Sequence, residues 1–495
     1  MAKTEASTTA PDQIAADLLI LPLFADSKPG PGMKEISRAM GVDLVAAARD
    51  AKTVGKLGQT LVLPTLGTVA AGTVVLTGLG PKAAAGTNAI RSAAMYAVRA
   101  TKGFASVAGT LTQIGDDPRG AARAYAEGVL LGAHHFDRYK SKPDRERLSV
   151  GKITALTSGD RRPVAAGLET GHIHAEAANW VRDLVTTPPA DMTPAHIAAV
   201  AQTMAKEQGL QCKIWKKHDL EAGGFGGILA VGQGSVNEPR LIELSYQGAG
   251  GAKPYAITGK GISFDSGGLD IKSAKWMEHM KDDMAGAAAA IAVMRAAAQL
   301  KLKVNLIAAI GSAENMPGGS AQRPGDIITH RGGKTSEVGD TDAEGRILLA
   351  DVLAYLDEKK PRVIIDSATL TSTGLGEDVW AIFGTDQSLV DELRAAGDAA
   401  GEPGWQFPLI DAYSRHTRSE VADIKNADWV GADTLASGIF LRYFVGDTAW
   451  AHLDVGDTAY LEAERGEWPE GATGCPTRVI LRYLEDKAGR PTGAG

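Results

Sequence analysis

YAITGKGISFDSGGLDIK, residues Tyr255–Lys272, decides how the rest of the chain is read. A short apolar run, YAIT, gives way to glycines where Lys260, Asp265 and Lys272 appear, the pattern of a buried strand whose carboxyl end opens into a loop. Downstream, GDTDAEGR (Gly339–Arg346) sets Asp340, Asp342 and Glu344 ahead of a glycine and an arginine, before the helical run ILLADVLAYLDEKK. Between them, MKDDMAG supplies Asp282 and Asp283. Carboxylates this dense around glycines raise one another's pKa unless cations compensate.

Working outward, strand-like runs recur on both sides of this stretch. CKIWK, GGILAVG, RLIELSY, VNLIAAI, RVIIDS, AIFG and WAHLD alternate with helical segments. Nearer the N-terminus, LLILPLF, TLVLPT, AGTVVLTGLG, GFASVAGTL and KITALTS alternate with Ala-rich helices. The pattern predicts an α/β fold in two domains. Residues 1–165 form a smaller N-terminal α/β domain whose first 12 residues are expected to be disordered. Residues 166–190 form a linker helix stopped by Pro188 and Pro189. Residues 191–495 form a larger catalytic domain with a mixed central sheet flanked by helices. Lys260, Glu314 and Ser367 each fall just past the end of a strand-like run, so one shared cleft is expected there.

Composition bounds the function. At 495 residues, 22% charged and 44% apolar, the chain reads as a globular protein of more than one domain. A net charge of -7 argues against nucleic-acid binding as the main role. Cys212 and Cys475 form no CxxC pair, so neither a disulfide framework nor a thiolate zinc site is indicated. The N-terminus lacks a basic region ahead of its apolar run, and no stretch reaches the ~20 apolar residues of a membrane span, so a cytoplasmic address with no membrane contact is expected.

Asp265, Asp283, Asp342 and Glu344 together call for about two divalent cations to balance them. With no His or Cys donor, the site is hard and oxygen-rich, which favours Mn or Mg and is compatible with Zn. A lysine in such a ligand set must be neutral. Asp340–Asp351 imitates a calcium loop, but its twelfth position is Asp and no helix precedes it. GGKTS (Gly332–Ser336) has the tail of a P-loop without its first glycine, since Ile328 stands there. His172, His174 and Glu176 imitate a ligand row, yet on a helix only His172 and Glu176 share a face. His279 and His330 lie close in sequence to these motifs and are not expected to act as bases.

VGDTDAEGRILLADVL resembles the signature of the leucyl (cytosol) aminopeptidase family, written there as NTDAEGR followed by a similar helix. TGKGISFDSGGLDIK and MKDDMAGAA are similar to that family's two upstream metal-binding blocks, in the same order and spacing. RPGDIIT, DSATLT, GGILAVGQGS and WAHLD extend the likeness over roughly residues 165 to 485. The resemblance implies a dinuclear metal aminopeptidase acting on peptides. Its tighter metal position would match Lys260, Asp265, Asp283 and Glu344, and its more exchangeable one Asp265, Asp342 and Glu344, so that Asp265 and Glu344 bridge. Lys272 and Arg346 match the family's catalytic cations, the arginine there holding a bicarbonate that acts as general base. Met280, Thr369 and Leu370 match residues near the pocket for the substrate's first side chain, for which Leu or another bulky apolar residue is expected.

Two metals in such a site can bind a free amino terminus, polarise the scissile carbonyl and hold a bridging hydroxide. By resemblance the assembly is a homohexamer, a dimer of trimers. Asp340 stands where the family usually has Asn, and Ser372 and Thr373 replace a Gly-Ala pair. Two alternatives accompany this reading: a cysteinylglycine-type dipeptidase, and a regulatory or DNA-binding scaffold. The latter would rest on KSKPDRERLSVGK (Lys140–Lys152), whose plainer reading is a solvated linker.

Overall fold

The computed structural model describes residues 2–142, 149–427 and 433–489, which fall into two compact units. Among the described residues, one comprises the chain up to Asn179 with Ala463–Pro469; the other comprises Trp180–Glu462 and residues 470–489. A single helix, Arg161–Thr186, crosses the division. Among the described residues no helix is long and apolar enough to cross a membrane.

The first unit is built on a seven-stranded sheet. Its order is Lys3–Ser7, Lys152–Leu156, Ser106–Gly109, Leu18–Phe24, Thr73–Gly78, Thr60–Pro64, with Lys28–Pro29 pairing onto Leu18–Phe24. Every residue of Leu18–Phe24 is buried, as a central parallel strand requires. The helices Thr87–Arg99 and Pro118–Ala133 pack together, and Asp117 opens the second by accepting from Arg119 N and Gly120 N. Disorder over residues 1–12 is overturned for the described part. Lys3–Ser7 pairs in parallel with Lys152–Leu156, and Glu5 meets Lys152 at 3.0 Å. A polar edge strand carries no apolar alternation, so nothing in its own sequence announced the partner that satisfies its backbone. Residues 143–148, the middle of the basic segment Lys140–Lys152, lie outside the described residues.

The second unit holds a nine-stranded mixed sheet in the order Gly404–Gln406, Trp380–Gly384, Trp450–Asp454, Ile364–Ala368, Tyr255–Gly259, Asn305–Asn315, Arg240–Gln247, Gln211–Trp215. Gly261–Asp265 adds to Asn305–Asn315, in parallel. The four strands from Trp450–Asp454 to Asn305–Asn315 are mutually parallel, and the neighbours outside them are antiparallel. Their carboxyl ends therefore all open on one edge of the sheet, where an α/β sheet places its ligands. Two largely buried helices, Ala285–Gln299 and Glu344–Glu358, pack against these strands.

One element departs from expectation. GGILAVG, read as a strand, is the helix Gly226–Gly232. An apolar run this short has no decisive period. Here Ile228 and Val231, three residues apart, face the core together, and the helix packs on Glu344–Glu358 and Asn305–Asn315. Gly227 permits the approach, since a Cβ there would lie 2.4 Å from the Ile347 carbonyl oxygen. Asp351 anchors the contact by accepting from Ile228 N at 2.9 Å.

Candidate metal centre

The carboxyl ends of the parallel strands bring the separated sequence clusters together. Lys260 occupies the single residue between the strands Tyr255–Gly259 and Gly261–Asp265, and Asp265 ends the second. Asp283 precedes the helix Ala285–Gln299, whereas Glu344 and Arg346 lie in the first turn of Glu344–Glu358. Close backbone approach makes the corner possible. A Cβ on Gly259 would fall 2.1 Å from the Gly286 carbonyl carbon, and one on Gly286 only 2.0 Å from the Ser367 carbonyl oxygen.

Oxygens of Asp265, Asp342 and Glu344 all lie within 4.8 Å of one another. Lys260 Nζ sits 2.7 Å from Asp283 Oδ1, 2.8 Å from Glu344 Oε1 and 3.1 Å from the Thr369 carbonyl oxygen. Lys272 Nζ lies 2.9 Å from Asp265 Oδ2 and 2.5 Å from Asp342 Oδ1. Lys260, Asp265, Asp283 and Glu344 are buried, and Asp342 is partly open. Burial raises the carboxyl pKa of Asp342 to about 7; Asp265 and Glu344 add repulsion, against the pull of Lys272. Asp283 and Glu344 are raised by the same combination of burial and neighbouring carboxylates. Burial also opposes the charge on Lys260 and Lys272, but the carboxylates outweigh it and hold both lysines above their ordinary pKa.

This donor set fits divalent cations. It is made of oxygens with one amine, its carboxylates repel one another, and the buried Oδ2 of Asp283 has no hydrogen-bond partner among the described residues. Lys260 and Lys272 supply compensating positive charge to these carboxylates. Taking a metal onto Lys260 therefore requires the loss of its proton.

Arg346 is buried beside the acidic cluster. It donates to the Asn426 carbonyl oxygen at 2.7 Å and to Asp433 Oδ1 at 2.8 Å, while its Nε has no partner among the described residues. Of the three residues assigned to the substrate's first side chain, Met280 lines a cavity of about 360 Å³. Thr369 stands against the acidic cluster instead, its hydroxyl donating to Asp283 Oδ1 at 2.8 Å, and Leu370 N donates to Asp454 Oδ1 at 3.3 Å.

Other expected participants are turned elsewhere. Glu314 lies within its strand, not beyond it, and accepts from Ser235 and Asn237. Ser367 is likewise inside a strand, contributing its carbonyl to Lys260 N. His330 is buried between Asp351 and Ser336. Asp340 Oδ1 accepts from Asp342 N at 2.8 Å, a local turn that sets the loop before the helix.

Two asparagines were not anticipated. Asn315 donates to Asp265 Oδ1 at 2.8 Å and to the Thr341 carbonyl at 2.9 Å, which orients that carboxylate. Its neighbour Glu314 drew attention as the charged residue, but alternation along the strand puts the two on opposite sides. Asn426 ties the loop together, accepting from Gly339 N at 2.6 Å and donating to the carbonyls of Asp340 and Ala343. No local motif signalled it.

Residues 179–481 match the catalytic domain of the cytosol aminopeptidase family, and residues 20–143 match that family's N-terminal domain. The chain belongs to the cytosol aminopeptidase family. It is a metal-dependent aminopeptidase of the leucyl aminopeptidase type. A probable cytosol aminopeptidase of Geobacter sp. (strain M21) is 40% identical over 492 residues, covering 98% of this chain and 100% of that protein. Among solved structures, the bottromycin maturation enzyme BotP in complex with Mn superposes with a TM-score of 0.85 at 33% identity, covering 96% of this chain and 100% of the other. A tomato leucine aminopeptidase mutant superposes with a TM-score of 0.87 at 28% identity, covering 98% and 96%.

Proposed function

We propose that the chain releases the N-terminal residue of peptides, with Leu as the reference bulky apolar residue, at a two-metal centre held by Lys260, Asp265, Asp283, Asp342 and Glu344. The observation that carries this reading is the convergence of four carboxylates and a buried lysine at the carboxyl ends of parallel strands, beside a cavity lined by Met280. Two divalent ions, Mn or Zn with Mg as a substitute, would supply Lewis-acid polarisation of the scissile carbonyl and a bridging hydroxide at neutral pH.

The chain's own groups do the remaining work. Lys272, partly open and hydrogen-bonded to the ligand carboxylates, is placed to donate to the oxyanion that develops on the substrate carbonyl. Arg346 would hold bicarbonate as the general base: a planar guanidinium suits a bidentate oxyanion, and its free Nε leaves a donor to offer. Asn315 fixes the orientation of Asp265.

The peptide substrates would meet a homohexamer, a dimer of trimers, in the cytoplasm; light scattering should then report six times the 51.6 kDa of one chain. The central test is hydrolysis of Leu-p-nitroanilide with added Mn, before and after chelation. Activity that ignores the chelator, or a Lys272→Ala variant working at full rate, refutes the proposal.

A further inference from the structure

The cavity beside the metal centre is not simply apolar. Its volume of about 360 Å³ suits one side chain, and Met280 and the Trp276 and Tyr460 rings give it apolar walls. Four carboxylates share that lining, those of Asp282, Glu377, Asp457 and Glu462, against a single lysine, Lys275. Asp282 is 8% exposed, and its carboxylate takes no hydrogen bond from any other residue's side chain or backbone among the described residues. Glu377 and Asp457 are half-buried, and Glu462 is exposed. Burial raises the Tyr460 hydroxyl pKa, and the charges of Asp282, Glu470 and Glu278 add to the rise.

The charge is also built into the loop. Ser372 and Thr373 replace the residues usual in the family, and Thr373 is pinned by Asp457, which accepts from its N at 2.9 Å and its hydroxyl at 2.7 Å. Both contacts use Asp457 Oδ2, and none is made by Oδ1. The loop departure and this carboxylate thus belong to one arrangement.

We infer that this cavity selects N-terminal residues whose long side chain has an apolar stem and a cationic head, Arg or Lys. The preference rests on the aminopeptidase reading above and refines its first-residue pocket. The stem would lie along Met280 and the head would reach the carboxylates, with the aromatic faces of Trp276 and Tyr460 adding cation–π contact for a guanidinium. Two basic side chains of the lining compete with that head: Lys275, whose ammonium is 5.6 Å from the Trp276 ring centroid, and His279, whose ring centroid is 5.2 Å from that of Tyr460.

The test compares p-nitroanilides of Arg and of citrulline, its neutral isostere, with Leu-p-nitroanilide as the reference, all with Mn. A charge-assisted hydrogen bond predicts kcat/KM for Arg about tenfold or more above citrulline at low salt, carried by KM and shrinking as salt is added. In Glu377→Gln/Asp457→Asn, which keeps an acceptor for Thr373, that ratio should fall below about threefold. An Arg-to-citrulline ratio near one in the wild type, or one that survives the double substitution, overturns the inference while leaving Leu hydrolysis, and so the aminopeptidase reading, standing. If the variant does not fold, the wild-type ratio and its salt dependence decide alone. Hydrolysis of none of the three overturns both readings.

Discussion

Gly345→Ala probes the centre without replacing a proposed ligand. Gly345 is the second residue of the helix that carries Glu344 and Arg346, and its open face lies against Lys260. An added Cβ would sit 2.4 Å from Lys260 Cε, 2.7 Å from Cδ and 2.8 Å from Nζ, whereas ordinary contact begins near 3.4 Å. The methyl must therefore push the lysine end by about 1 Å. That end is ion-paired to Asp283 and Glu344 at 2.7 and 2.8 Å, so the push breaks a buried arrangement. Breaking such a pair costs about 3 to 5 kcal/mol, and the better helix propensity of Ala offsets at most about 1 kcal/mol. The metal-free protein should lose roughly 2 to 4 kcal/mol. A ligand displaced by about 1 Å should lower kcat/KM on Leu-p-nitroanilide about a hundredfold at saturating Mn. Titration calorimetry should show one of two Mn sites weakened. Gly319→Ala is the control, because nothing lies within 4 Å of a Cβ there. A Gly345→Ala enzyme within threefold of wild type, with both Mn sites intact, would refute the placement of Lys260 as a ligand.

Lys272→Ala should retain Mn stoichiometry and lose about 10² to 10³ in kcat, the loss expected for one oxyanion donor; a change in KM alone would contradict that role. Asp340→Asn keeps the acceptor that holds Asp342 N and should match wild type in melting temperature and rate, whereas Asp340→Ala should lose about 1 kcal/mol by denaturant titration. The raised pKa of Asp342 gives a pH signature in metal-free protein. A carboxyl raised to about 7 contributes stability that is full below its ordinary value near 4 and is lost as pH rises through about 7. Relative to wild type, metal-free Asp342→Asn should thus gain melting temperature at pH 8 and not at pH 4; a gap that is the same at both pH values counts against the electrostatic origin. Loading Mn reverses the dependence, because ligation needs Lys260 deprotonated and the carboxylates charged, so Mn affinity should climb from pH 6 to pH 8.

Much of the centre was readable because its parts are local. Glycines flank Lys260 on both sides and follow Glu344 where the packing is closest, and the carboxylates fall in short motifs that end strands or begin helices. The helix Gly226–Gly232 and the edge strand Lys3–Ser7 were misread for the opposite reason: a seven-residue apolar run and a five-residue polar one take their form from what they pack or pair against. Glu314 and Asn315 illustrate the same limit at one residue's resolution, since the strand's alternation decides which of the two faces Asp265.

The sequence by itself determined the α/β plan and, through its resemblance to a known family, named the candidate metal-ligand residues, since hydrophobic period and the spacing of short motifs are properties of short segments. Only the tertiary structure decided which groups share a site. It set Lys260 between Asp283 and Glu344, reduced Asp340 to a turn acceptor, recruited Asn315 and Asn426, and gathered four carboxylates from distant segments around Met280. The reason is that charge interactions fall off over a few ångströms, and distances of that size between residues far apart in the chain are set by how strands and helices pack.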